Sequence, residues 1–134
     1  QLGSYLDDLL GSLFSSLSPY PVSVRVTGAN DPVPADIAVS LGLIVNEIAT
    51  NAIKHGFTET VSRAFHLELS RESDEWTMVI RSTGLPFPAD IVLEETTSLG
   101  MRLITGLVDQ IRGSLELERR PAPVYRISFS APAD

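Results

Sequence analysis

Residues 46–55 read NEIATNAIKH, and the spacing within this decapeptide decides how the chain around it is read. Side chains three, four, seven and eight positions apart share one face of a helix. Val45, Ile48, Ala49, Ala52 and Ile53 meet that spacing and form an apolar face, while Glu47, Asn51, Lys54 and His55 meet it along a polar stripe. The helix is amphipathic, and a polar stripe of this kind is ordinarily a solvated surface. Asn51 departs from that pattern. An asparagine amide competes for backbone hydrogen bonds, so glutamate or lysine fills a mid-helix position more easily. A carboxylate one turn before a neutral amide, with cations a turn further on, also suits magnesium bound to a nucleotide. The oxygens are ligands for a hard ion, and the positive groups meet phosphate oxygens.

Outward from this stretch, Pro32 and Pro34 keep the chain extended, Ala35 opens the helix and Gly56 can terminate it. Toward the N-terminus, VSVRVT (22–27) alternates with the period of a half-buried strand and runs into the turn-forming GAND. Before it, Tyr5, Leu6, Leu9, Leu10, Leu13 and Phe14 recur at helical spacing, with Ser4 and Asp7 placed as a capping box, which predicts a helix over 4–17. Toward the C-terminus, AFHLELSRESDEWTMVIRS (64–82) predicts two strands around a polar turn at 72–74, with Phe65, Leu67, Leu69, Trp76, Met78 and Ile80 facing inward. A loop of low periodicity follows. From Leu99, Leu103, Ile104, Leu107, Val108 and Ile111 predict another helix ending at Gly113, and SLELER and VYRISFS predict a closing hairpin across RPAP. The order is helix, strand, helix, two strands, loop, helix, two strands. It predicts an α+β fold, a two-layer sandwich with helices packed on one face of a mixed sheet.

The 134 residues are enough for one domain with a real core, and an apolar fraction of 43% argues against disorder. Residues 1–134 are read as a single domain. Seventeen acidic against ten basic residues give a net charge of −7, which repels a phosphate backbone, so nucleic acid is not an expected partner. The absence of cysteine excludes a disulfide framework and thiolate metal sites. No apolar run reaches the length of a membrane span, so no membrane contact by this domain is expected. The chain starts already inside a helical pattern, which suggests excision from something longer.

Two segments carry a resemblance to a known family. NEIATNAIKHGF looks like the N box of the ATP-binding catalytic domain of sensor histidine kinases, and TSLGMRLITGLVDQIRGSLEL looks like the second glycine-containing nucleotide box with its helix and strand. With LGLIV before the first box, they resemble the HWE and HisKA_2 groups of these kinases, in the right order and over nearly the whole chain. The KHG ending favours the kinase branch of the wider ATPase superfamily. The resemblance implies the Bergerat ATPase fold, ATP and Mg2+ as cofactors, and a cytoplasmic location. It implies Glu47 as the residue that polarises the reacting system, Asn51 as the magnesium ligand, and Lys54 and His55 near the phosphates. Ser98, Leu99 and Gly100 would bring backbone N–H groups at a helix start toward the triphosphate. Arg102 can reach phosphate or lie over the helix surface. The implied partners are a dimerisation and phosphoacceptor domain of the same parent protein, for which residues 1–17 are a candidate connecting helix, and a response regulator. Neither His55 nor His66 lies in the helical acceptor motif of the family, so the acceptor histidine is expected elsewhere.

The chain departs from the family at the first glycine box. Setting GLP on Gly84, Leu85 and Pro86 puts Ile80 where the family's adenine-binding aspartate stands and Ser82 where its first glycine stands. A polar group left without its partner costs roughly 1–3 kcal/mol, about ten- to hundredfold in affinity. Thr83 or Ser82 can supply a substitute hydrogen bond through water, and Thr83 and Gly84 are therefore candidate nucleotide contacts. Two functions follow as expectations: transfer of the ATP γ-phosphate to a histidine on a neighbouring domain, or a degenerate domain that docks a response regulator. A serine kinase of anti-sigma type fits the same fold, but SLGMRL matches it less well.

Overall fold

The computed structural model describes residues 1–18, 21–53, 64–83, 99–118 and 123–132. In chain order they form α1 (Leu2–Leu17), β1 (Ser23–Gly28), α2 (Ala35–Asn51), β2 (Ala64–Glu72), β3 (Glu75–Ser82), α3 (Leu99–Gln110), β4 (Ser114–Glu118) and β5 (Val124–Ser130). The strands make one sheet in the order β1-β2-β3-β5-β4. β1 runs parallel to β2, which requires a crossover between them, and α2 lies in that connection. The remaining neighbours are antiparallel. This is the two-layer mixed sandwich predicted from the pattern of elements.

The inward set of the β2–β3 hairpin is as predicted: Phe65, Leu67, Leu69, Trp76, Met78 and Ile80 are all buried. Opposite Trp76 in register, Phe129 stacks on it with ring centroids 6.0 Å apart, so Trp76 is a packing residue. The helices close the other side of the core with Leu6 and Leu10 of α1, Leu41, Ile44 and Ile48 of α2, and Ile104 and Val108 of α3. Burying each such side chain stabilises by about 1.5–3 kcal/mol, so these contacts hold the helices on the sheet. The helix expected from the spacing after Leu99 is α3, and of its apolar residues Met101, Ile104, Leu107 and Val108 are buried while Leu103 is exposed. His66 is half-buried on β2 and its Nε2 lies 3.0 Å from the Thr27 hydroxyl on β1.

The start of α1 differs in detail from the sequence expectation, and the expected stop of α2 at Gly56 lies outside the described residues. α1 begins at Leu2, two residues before the predicted capping box, and Gln1 at its N-cap makes no side-chain bond. The capping is supplied across 26 residues of chain: the Ser4 N–H donates to Asn30 Oδ1 at 2.8 Å, and Asn30 Nδ2 donates to the Ser4 hydroxyl at 3.0 Å. α2 ends as α-helix at Asn51, with residues 52–53 widening into a π-helical turn, a form often found at functional sites. At the far end of β1, Gly28 has φ 99°, and a Cβ there would overlap the Leu69 carbonyl oxygen, so glycine is required where β1 leaves β2.

Candidate functional site

Asn51 and the segment beginning at Leu99 lie far apart in sequence and meet in space. The Asn51 Nδ2 approaches Met101 Sδ, in the first turn of α3, at 3.8 Å. Burial pushes the phenol of Tyr125, on β5, up to about 12, and the Asn51 side chain offsets a smaller part of that shift. Asn51 is half-buried, Met101 and Tyr125 are buried, and the three come from α2, α3 and β5. The polar stripe of α2 thus turns inward at Asn51. Glu47, one turn earlier on the same line, is half-buried.

The element order explains this convergence. α2 packs its apolar face on α3 and on the sheet, which brings its C-terminal turn beside the start of α3. Tyr125 is paired in register with Ile80 on β3 and Leu117 on β4, and alternation puts all three on the helix-covered face. Ile80, the position aligned with the family's aspartate, is 1% exposed and apolar. On this cross-strand pair the polar atom is the phenol oxygen.

Leu99 and Gly100 open α3, so backbone N–H groups at that helix start lie beside the turn that Met101 shares with Asn51. Arg102 is exposed on the same helix. Thr83 continues the hairpin ladder: its hydroxyl accepts from the Ala64 N–H at 3.0 Å, and its own N–H donates to the Ala64 carbonyl at 3.1 Å. Lys54, His55, Gly84 and Ser98 lie outside the described residues, as does the loop over 86–98. Sequence reasoning placed Tyr125 only within a closing strand and Met101 only within a box. The inward alternation of Tyr125, Ile127 and Phe129 was the signal that the phenol enters the core.

Among the described residues no group of three or more His, Cys, Asp or Glu side chains could cage a metal ion. The donor chemistry is instead one neutral amide oxygen beside a helix start. Magnesium keeps several waters and takes one or two protein ligands plus substrate phosphates, and such a donor fits it.

The chain belongs to the histidine kinase-like ATPase domain family, whose model matches residues 22–122. It is 29% identical over 119 residues to the blue-light-activated histidine kinase 2 of Erythrobacter litoralis, covering 88% of this chain and 34% of that protein. To the sensor histidine kinase PdtaS of Mycobacterium tuberculosis it is 28% identical over 97 residues, covering 71% of this chain and 19% of that one. The histidine kinase domain of an Erythrobacter litoralis blue-light activated histidine kinase superposes with a TM-score of 0.85 at 25% identity, over 96% of this chain and 60% of that one. The chain therefore spans about a third or less of the length of these curated relatives. No described helix is long and apolar enough to cross a membrane.

Proposed function

We propose that this domain binds Mg-ATP and transfers the γ-phosphate to a histidine on a dimerisation and phosphoacceptor domain of the same parent protein, in the cytoplasm, from which a response regulator takes it. The observation that carries the reading is the meeting of Asn51 with the first turn of α3, because it joins the two segments that resemble nucleotide boxes. In this reading Asn51 ligates the magnesium ion through its amide oxygen. The backbone at Ser98, Leu99 and Gly100 faces the triphosphate, and Lys54, His55 and Arg102 offset its charge. Thr83 and Gly84 border the base. Glu47 orients the acceptor or a water. Magnesium, when bound, neutralises charge on the transferring group, and the chain's own part is positioning and electrostatic stabilisation.

Calorimetric titration with Mg-ATP or a non-hydrolysable analogue tests this. Binding in the micromolar to millimolar range is expected, given the apolar residue at position 80. Absence of heat and of any thermal shift at millimolar nucleotide overturns it. A second reading, a degenerate domain that docks a response regulator, is favoured by the apolar, buried Ile80 and takes over in that case.

A further inference from the structure

We propose that the open face of the sheet docks an acidic segment of a partner protein through Arg25, His66 and Arg81. The core side chains of β2, β3 and β5 occupy the face that the helices cover, and the residues alternating with them form the opposite face. There the register lines up Arg25 on β1 with His66 on β2, and His66 with Arg81 on β3, so basic side chains from three neighbouring strands stand in one row. Strands lie about 4.8 Å apart, which sets the two arginine positions about 10 Å from each other. Arg25 and Arg81 are exposed, and His66 is half-buried with its Nε2 3.0 Å from the Thr27 hydroxyl, a bond that steadies the ring within the row. On β5 the row continues into Val124, in register with Arg81, and one row further Val79 lies opposite Arg126. Two arginines and two valines thus alternate over β3 and β5, and Val79 is buried although it faces away from the helices.

An open sheet face is ordinarily a solvated one. In a chain with seventeen acidic and ten basic residues, however, cations gathered on one face cost folding energy rather than save it. Of the six arginines among the described residues, Arg25, Arg81 and Arg126 stand on this face. The basic row is also short: Glu68 follows His66 on that face of β2, and Glu118 pairs with Val124 on β4. A nucleic-acid duplex or an anionic membrane would meet those carboxylates and the net charge of −7. A short segment with two or three carboxylates spans the row without meeting them. Guanidinium groups take carboxylates bidentately, and arginine beside apolar side chains is the composition of interface centres. Val79 and Val124 supply the apolar ground for a residue next to those carboxylates.

The test titrates the chain into a fluorescein-labelled hexaglutamate peptide and reads anisotropy. Binding is expected at low ionic strength, with about a tenfold loss of affinity at physiological salt. Arg25→Glu and Arg81→Glu are each expected to lower affinity by about tenfold, whereas Arg112→Glu, an equal charge change on an exposed residue in the turn after α3, leaves it unchanged. Arg25→Gln and Arg81→Gln carry the comparison if a reversal does not fold. Saturating Mg-ATP should not displace the peptide, because the row lies on the far side of the sheet from Asn51, so a failure of nucleotide binding leaves this inference standing. Absence of binding at low ionic strength, an equal loss in Arg112→Glu, or displacement by Mg-ATP overturns it. Tighter binding of phosphatidylserine vesicles or of a DNA duplex, lost in Arg25→Glu, would give the face to a lipid or a nucleic acid. Salt-sensitive dimerisation abolished by Arg81→Glu would give it to a second copy, and each of these outcomes overturns the acidic segment as occupant.

Discussion

Asn30 and Asn51 are the same side chain put to different use. Asn30 spends both ends of its amide on α1, accepting from the Ser4 N–H and donating to the Ser4 hydroxyl. Asn51 directs its nitrogen away from its own helix, at the Met101 sulfur 3.8 Å off in the first turn of α3. An amide satisfied at both ends is a structural link. One held by its donor end keeps an acceptor for something else. The difference separates a cap from a candidate ligand without reference to sequence position.

The contrast breaks most visibly under alanine substitution at position 51. Asn51→Ala is expected to lower magnesium-dependent nucleotide affinity by about a hundredfold, ~2.7 kcal/mol. Stability should change by less than about 1 kcal/mol, because a weak N–H···S contact is exchanged for a better helix former. Titration calorimetry beside a thermal melt reads both. Unchanged magnesium dependence would remove Asn51 from the metal role and reduce it to a second Asn30.

Alkaline pH sharpens the Tyr125 side of the comparison. The phenol titrates near 10 when unfolded and at about 12 in the fold, so between those values the native state holds a proton that the unfolded chain has lost. Stability is then full below about pH 10 and falls as pH rises toward 12, by roughly 2–3 kcal/mol from this group. Over that window the melting temperature of wild type should fall relative to that of Tyr125→Phe, since the variant lacks the titrating group. Parallel curves would show that the phenol's burial has no bearing on stability.

Much of this architecture was legible in the order of residues. The β2–β3 hairpin carries its information locally, as alternation around a polar turn, and its six inward residues are buried as read. Periodicity likewise located α2 and its apolar face. The junction at Asn51 was legible only in part. Poor helix propensity singled out the residue, and resemblance supplied the role, but its partner Met101 lies 50 positions away, where local pattern cannot pair the two. The α1 cap failed for the same reason. A capping box at Ser4 and Asp7 is a local rule, and the chain meets the need with Asn30, brought back by β1.

The smaller effects fall on α1. Asn30→Ala removes both bonds to Ser4 and is expected to destabilise by about 1–2 kcal/mol in chemical denaturation, with nucleotide affinity unchanged. Asn30→Asp is the finer test. It keeps an acceptor for the Ser4 N–H and places negative charge at a helix N-terminus, worth about 0.3–1 kcal/mol in its favour. Against that it gives up donation to the Ser4 hydroxyl and adds charge beside Asp31 and in the same depression as Asp7. The terms nearly cancel, so a change within about 0.5 kcal/mol is expected. At position 51 the same substitution removes both N–H groups and sets a carboxylate against the Met101 sulfur, so it should destabilise by more than at position 30. If aspartate is tolerated equally at both positions, the donor end of Asn51 is not what holds it, and the distinction between the two asparagines fails.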